Sequence, residues 1–70
     1  MKVIDLVKVL YPSTEIEFFN SLGIPMCFCA DILDIPADIW HREIDQVSTS
    51  EEGTLEILLK YNFKKLSKNA

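Results

Sequence analysis

Acids and apolar residues alternate strictly through Glu15-Ile16-Glu17-Phe18, and this short stretch constrains the fold more than any other. Successive side chains of an extended strand point to opposite faces. The alternation therefore sets both glutamates on one face and Ile16 and Phe18 on the other. A first strand is predicted from Thr14 to Asn20. Asn20-Ser21-Leu22-Gly23 supplies turn residues, and a wholly apolar second strand follows from Met26 to Ala30. Pro25 stands at its start, where proline is tolerated. These two strands make a hairpin.

The rest of the chain is read against that hairpin. Val3, Leu6, Val7 and Leu10 recur at helical spacing, with Asp5 and Lys8 on the other side, which predicts a short amphipathic helix. Tyr11-Pro12-Ser13 ends it, because proline disfavours helical geometry in the residue before it. Pro36 suits the first turn of a second helix of one or two turns, ending near His41-Arg42. Asp34 is placed to cap that helix, and Asp38 to meet its dipole. A third strand is expected from Glu43 to Thr49, with Ile44, Gln46 and Ser48 alternating against Asp45, Val47 and Thr49. After the turn Ser50-Glu51-Glu52-Gly53, a fourth strand spans Thr54 to Tyr61, with Leu55, Ile57 and Leu59 on one face. The expected fold is thus α+β in the order α-β-β-α-β-β. A four-stranded antiparallel sheet is covered on one face by the first helix. Residues 1–61 form one domain, and 62–70 a basic, frayed tail.

Seventy residues bury only about 60% of the surface exposed on unfolding, so the core is small. Yet 49% of the residues are apolar. The surplus is expected at the surface, where apolar patches mark interfaces. This favours a homo-oligomer or a protein that binds another protein, against a monomer with a merely greasy surface. The net charge of −4 and only seven basic residues argue against general nucleic-acid binding, which rests on Lys and Arg neutralising phosphates. An acidic surface suits a basic partner, and it also keeps a small protein in solution. The N-terminal apolar run is broken by Asp5 and Lys8 and reads as neither a secretory signal nor a membrane span. Two cysteines without such a signal point to a reducing cytoplasm.

Several residues are candidates for chemistry. Cys27 and Cys29 would share one face of the second strand, with α-carbons roughly 6.5–7 Å apart, at the limit of disulfide geometry. A zinc site needs four ligands, and the chain has one histidine, so small buried hydrophobes are the plainer reading of both. Phe28 lies between them and adds to an unusually apolar hairpin. Trp40-His41-Arg42-Glu43 brings together a possible base, an anion-binding guanidinium and an aromatic ring. No nucleophile stands near in sequence, so ligand or partner contact or plain structure is favoured over catalysis. Asp31, Asp34 and Asp38 lack the spacing of a calcium loop. Glu15 and Glu17, with Glu51, Glu52 and Glu56, make an acidic stripe across the outer side of the sheet. That stripe either mimics nucleic-acid phosphates toward a basic groove or is a solvated face that discourages edge pairing. No catalytic residue, metal or cofactor is assigned.

The opening Met1-Lys2-Val3-Ile4-Asp5-Leu6-Val7-Lys8-Val9-Leu10, the stretch Ser13-Thr14-Glu15-Ile16, Asp34-Ile35-Pro36 followed by Arg42-Glu43-Ile44, and the segment Gly53 to Leu58 resemble small accessory proteins of Firmicutes phages and prophages. The matches are scattered over residues 1–60. The chain departs from that group at Leu22 to Ala30, where the group is more polar. The resemblance carries no site residues with it. It implies a mobile-element protein that binds a host or defence component. The leading expectation is therefore a non-enzymatic, cytoplasmic, anti-defence inhibitor of a protein partner. One alternative is an oligomer that sequesters a small nucleotide signal, with Arg42 on phosphate and Trp40 on the base. Another is a metal-dependent nuclease assembled across an oligomer from Asp and Glu side chains.

Overall fold

The computed structural model describes residues 1–61. Among these residues are one α-helix, α1 (Val3–Val7), and four strands: β1 (Ile16–Phe19), β2 (Pro25–Cys29), β3 (Ile44–Thr49) and β4 (Leu55–Leu59). The strands form one sheet in the order β2-β1-β4-β3. Both expected hairpins are present, β1 with β2 and β3 with β4, each antiparallel. They close where the sequence placed turns. The Asn20 side-chain oxygen accepts the Leu22 and Ile24 amides at 2.8 and 3.0 Å, and Gly23 takes a φ of 81° that favours glycine. At the other hairpin the Ser50 hydroxyl accepts the Thr54 amide at 3.1 Å, and Gly53 has φ 89°.

The expectation of a purely antiparallel sheet is corrected. The hairpins join through β1 and β4, which run parallel, with Ile16 beside Leu55 and Phe18 beside Ile57. The reason lies in the connection between β2 and β3. The chain leaves β2 at Cys29, level with the start of β1, yet enters β3 at Ile44, level with the end of β4. It therefore climbs the length of the sheet before the second hairpin begins. Local turn chemistry fixes each hairpin but says nothing about this climb.

The climbing segment also corrects the second helix. Instead of one helix capped by Asp34, two single 3-10 turns form, Ile32–Asp34 and Ala37–Ile39. The cap is Asp31, whose carboxylate accepts the Leu33 amide at 2.8 Å. Pro36 separates the turns, because Ile35 before it is held extended at ψ 124°. Ile35 and Ile39 reach the core from this segment. The first helix is also shorter than expected, ending at Val7 and not at Leu10. Its N-terminal amides are met mainly by the climbing segment: Val3 donates to the Arg42 carbonyl at 3.0 Å and Ile4 to the Trp40 carbonyl at 2.9 Å. The Asp5 carboxylate accepts the Lys2 amide at 3.0 Å. Ile44 donates to the Met1 carbonyl at 2.8 Å, so the N-terminus is stitched to the start of β3.

The core lies between the sheet and these two coverings. Ile16, Phe18, Ile57, Leu59 and Val3 are each fully buried, and Cys29, Val7, Ile35, Ile39 and Ile44 complete the cluster. Burying an aliphatic or aromatic side chain of this size contributes roughly 1.5–3 kcal/mol. One predicted phase fails. Strict alternation sets Ile44 with Gln46 and Ser48, but a register shift between Ile44 and Gln46 puts Val47 opposite Ile57 and Thr49 opposite Leu55. The bulge returns β3 to the opposite phase after a single residue. The basic tail expected over 62–70 lies outside the described residues.

Ile57 and its neighbour Leu58 face opposite sides of β4. Replacing Ile57 by Ala is expected to cost about 2–5 kcal/mol in urea unfolding. Leu58→Ala should cost clearly less. A larger loss for Leu58 would mean that the sheet's core face has been assigned the wrong way round.

Candidate functional site

The second face of the sheet is where sequence, charge and geometry meet. None of its described residues is buried, whereas the core residues contributed by the strands face the other way. The pairings arrange it in two rows across the strands. One row reads Phe28, Glu17, Glu56 and Ser48, from β2 to β3. The next reads Pro25, Phe19, Leu58 and Gln46. The face is thus acidic in one row and largely apolar in the other.

Glu17 and Glu56 are neighbours on the parallel pair β1 and β4 and are both half-buried. Glu15 lies one step beyond this row. Its carboxylate accepts the Thr54 hydroxyl at 3.4 Å. Glu51 and Glu52, both exposed, are in the β3–β4 turn at the same end of the sheet. Glu15, Glu17 and Glu56 of the acidic stripe thus share one face, and Glu51 and Glu52 lie in the turn at the same end. Beside it, a shallow depression of about 210 Å³ is lined by Phe19, Gly23, Gln46, Ser48, Glu56 and Leu58. Leu58 was the legible sign of this surface, since Ile57-Leu58-Leu59 interrupts alternation and forces one leucine outward. Gln46 and Gly23 could not be foreseen there, because they come from opposite hairpins.

Cys27 and Cys29 sit on the core face, opposite Phe18 and Ile16. Both are free thiols, Cys29 buried and Cys27 half-buried. Burial, then the adjacent Cys27, pushes the Cys29 thiol from about 9 up to about 11. Phe28 between them points to the other face and is 56% exposed. The two cysteines and Phe28, grouped in the sequence, thus belong to different surfaces.

Of the Trp40-His41-Arg42 cluster, only Trp40 packs against the core. The Trp40 indole donates to the Ile35 carbonyl at 3.2 Å and packs at the edge of the core. The Arg42 guanidinium donates to the Lys60 carbonyl at 3.2 Å. His41 is exposed. Trp40 and Arg42, the pair expected to hold a nucleotide, are therefore each engaged with backbone carbonyls. Glu43 is paired with the N-terminal ammonium at 3.4 Å, an exposed contact of small value. Among the described residues, no group of three or more His, Cys, Asp or Glu gathers closely enough to hold a metal ion. No described helix is long and apolar enough to cross a membrane.

Two outcomes test this geometry. Like charges side by side in a sheet are destabilising by roughly 0.2–1 kcal/mol, so Glu17→Gln should stabilise the fold by that amount at neutral pH and low salt, and by less in high salt. The raised Cys29 thiol stays protonated in the folded state after the unfolded chain has begun to ionise. Its contribution is intact below about pH 9 and is lost as pH climbs toward 11. Unfolding midpoints followed across that window should fall further for the wild type than for Cys29→Ala. Parallel curves would place Cys29 outside the core. No protein-family model matches this chain, and no curated protein or solved structure matches it.

Proposed function

We propose that the protein is a non-enzymatic accessory protein of a phage or prophage that binds a host or defence protein and inhibits or modulates it. A nucleic-acid-handling component such as a CRISPR nuclease fits as the target. The reading rests on one observation, the uncovered sheet face with Glu17 and Glu56 in one row and Phe19 and Leu58 in the next. Paired carboxylates suit the lysines and arginines that line a nucleic-acid groove, and the apolar row supplies buried area on binding. The net charge of −4 favours encounter with a basic surface. The resemblance read from the sequence implies a mobile-element setting, and with it the bacterial cytoplasm.

The test is biological and then physical. Expressing the protein in cells armed with a defence nuclease should restore plating of a targeted phage, and the pure protein should bind that nuclease. The double variant Glu17→Lys with Glu56→Lys should fold, as judged by circular dichroism, and should lose both effects. Binding that persists in the double variant would remove the acidic face from the mechanism. Absence of any protection across a panel of defended strains would overturn the function itself.

A further inference from the structure

The depression on the open face has an apolar part and a polar part. Phe19 of β1 lies beside Leu58 of β4, and Leu58 beside Gln46 of β3. In the next row Glu56 lies beside Ser48 on one side and Glu17 on the other. The depression of about 210 Å³ spans both rows, and Gly23 of the β1–β2 turn adds to its lining. A Cβ at Gly23 would meet nothing within 4 Å, so the depression is open on that side. Phe19, Leu58 and Glu56 are half-buried. Neither row holds a basic residue. Among the described residues, the side chains of Glu17, Glu56, Gln46 and Ser48 make no hydrogen bond or ion pair. Glu56 is thus a half-buried carboxylate without a counter-charge, and the neighbouring Glu17 makes its surroundings more negative.

We infer that this depression seats one arginine side chain of the bound protein. The inference rests on the binding role proposed for this face and names the side chain that the face takes. Charge complementarity selects a cation, and the lining selects arginine over lysine. A basic side chain lays its methylene stem along apolar surface and keeps its charged head among polar groups. Phe19 and Leu58 supply that surface, and Glu56 the acceptor. Guanidinium forms paired, charge-assisted hydrogen bonds with a carboxylate, and its remaining donors suit the Ser48 hydroxyl and the Gln46 carbonyl oxygen. It also stacks on aromatic rings, which Phe19 provides, and sheds water more readily than ammonium. A lysine would satisfy Glu56 alone.

The test is an NMR titration of the full chain at low salt with two capped peptides of equal length and charge, one basic through arginine and the other through lysine. The arginine peptide should shift the amides of Gln46, Ser48, Glu56 and Leu58, and should bind about threefold tighter or more. Glu56→Gln, which keeps the side-chain shape, should weaken the arginine peptide by about tenfold. Glu51→Gln removes the same charge from the exposed turn and should change binding by less than about twofold. Phe19→Leu should bring the arginine peptide down to the level of the lysine peptide. Equal binding of the two peptides, or none by the arginine peptide, would overturn the inference. So would equal losses for Glu51→Gln and Glu56→Gln, which would reduce the effect to general acidity. Arginine selectivity without protection of defended cells would remove the anti-defence role and leave this site standing. Protection by a protein that does not distinguish the peptides would remove the site alone.

Discussion

The parallel contact between β1 and β4 holds the molecule together. Neither hairpin has a core of its own. An isolated two-stranded hairpin is at best marginal in water. Here four of the five side chains with no exposure, Ile16 and Phe18 from one hairpin and Ile57 and Leu59 from the other, sit on the two strands that meet in the middle. Helix α1 and the climbing segment add Val3, Val7, Ile35 and Ile39 above that seam. The seam also dictates the backbone route. A parallel join requires the chain to return along the sheet between hairpins, and that return is what covers the core.

Covering one face leaves the other to different forces. The apolar residues of the core face lose water on folding, while those of the second face do so only in part. A small domain with so many apolar residues has more of them than one core can hold. Among the described residues, Leu22, Ile24, Met26 and Phe28 of the β2 arm are exposed, and so are Met1, Val9, Tyr11, Leu33, Val47 and Tyr61 elsewhere. On the open sheet face, Glu17 and Glu56 share the row next to Phe19 and Leu58. An acidic row beside an apolar row on the open sheet face is what supports the proposed binding role.

The candidate residues were legible to different degrees. Glu15 and Glu17 could be set on one face from their alternation with Ile16 and Phe18, and their proximity to Glu56 followed once β1 lay against β4. Phe28 could be separated from Cys27 and Cys29 by the same two-residue period. The Trp40-His41-Arg42 group could not be resolved from sequence. Whether its donors face solvent or backbone depends on Ile35 and Lys60, which approach from other segments. The bulge at Asp45 was equally hidden, since a slip of one residue leaves composition untouched while reversing every later side chain.

Local chemistry decides what is local, and this chain shows where that ends. Alternation, turn residues and prolines determined by themselves the two hairpins, their turns at Asn20–Gly23 and Ser50–Gly53, the short N-terminal helix and the broad α+β class. Each of these depends on neighbours a few residues apart. Only the tertiary structure decided the parallel join, the break of the second helix into two turns, and the phase of β3. Those depend on how the Ala30–Glu43 segment crosses the sheet, and its course is set by burial of Ile35 and Ile39 against residues far away in sequence.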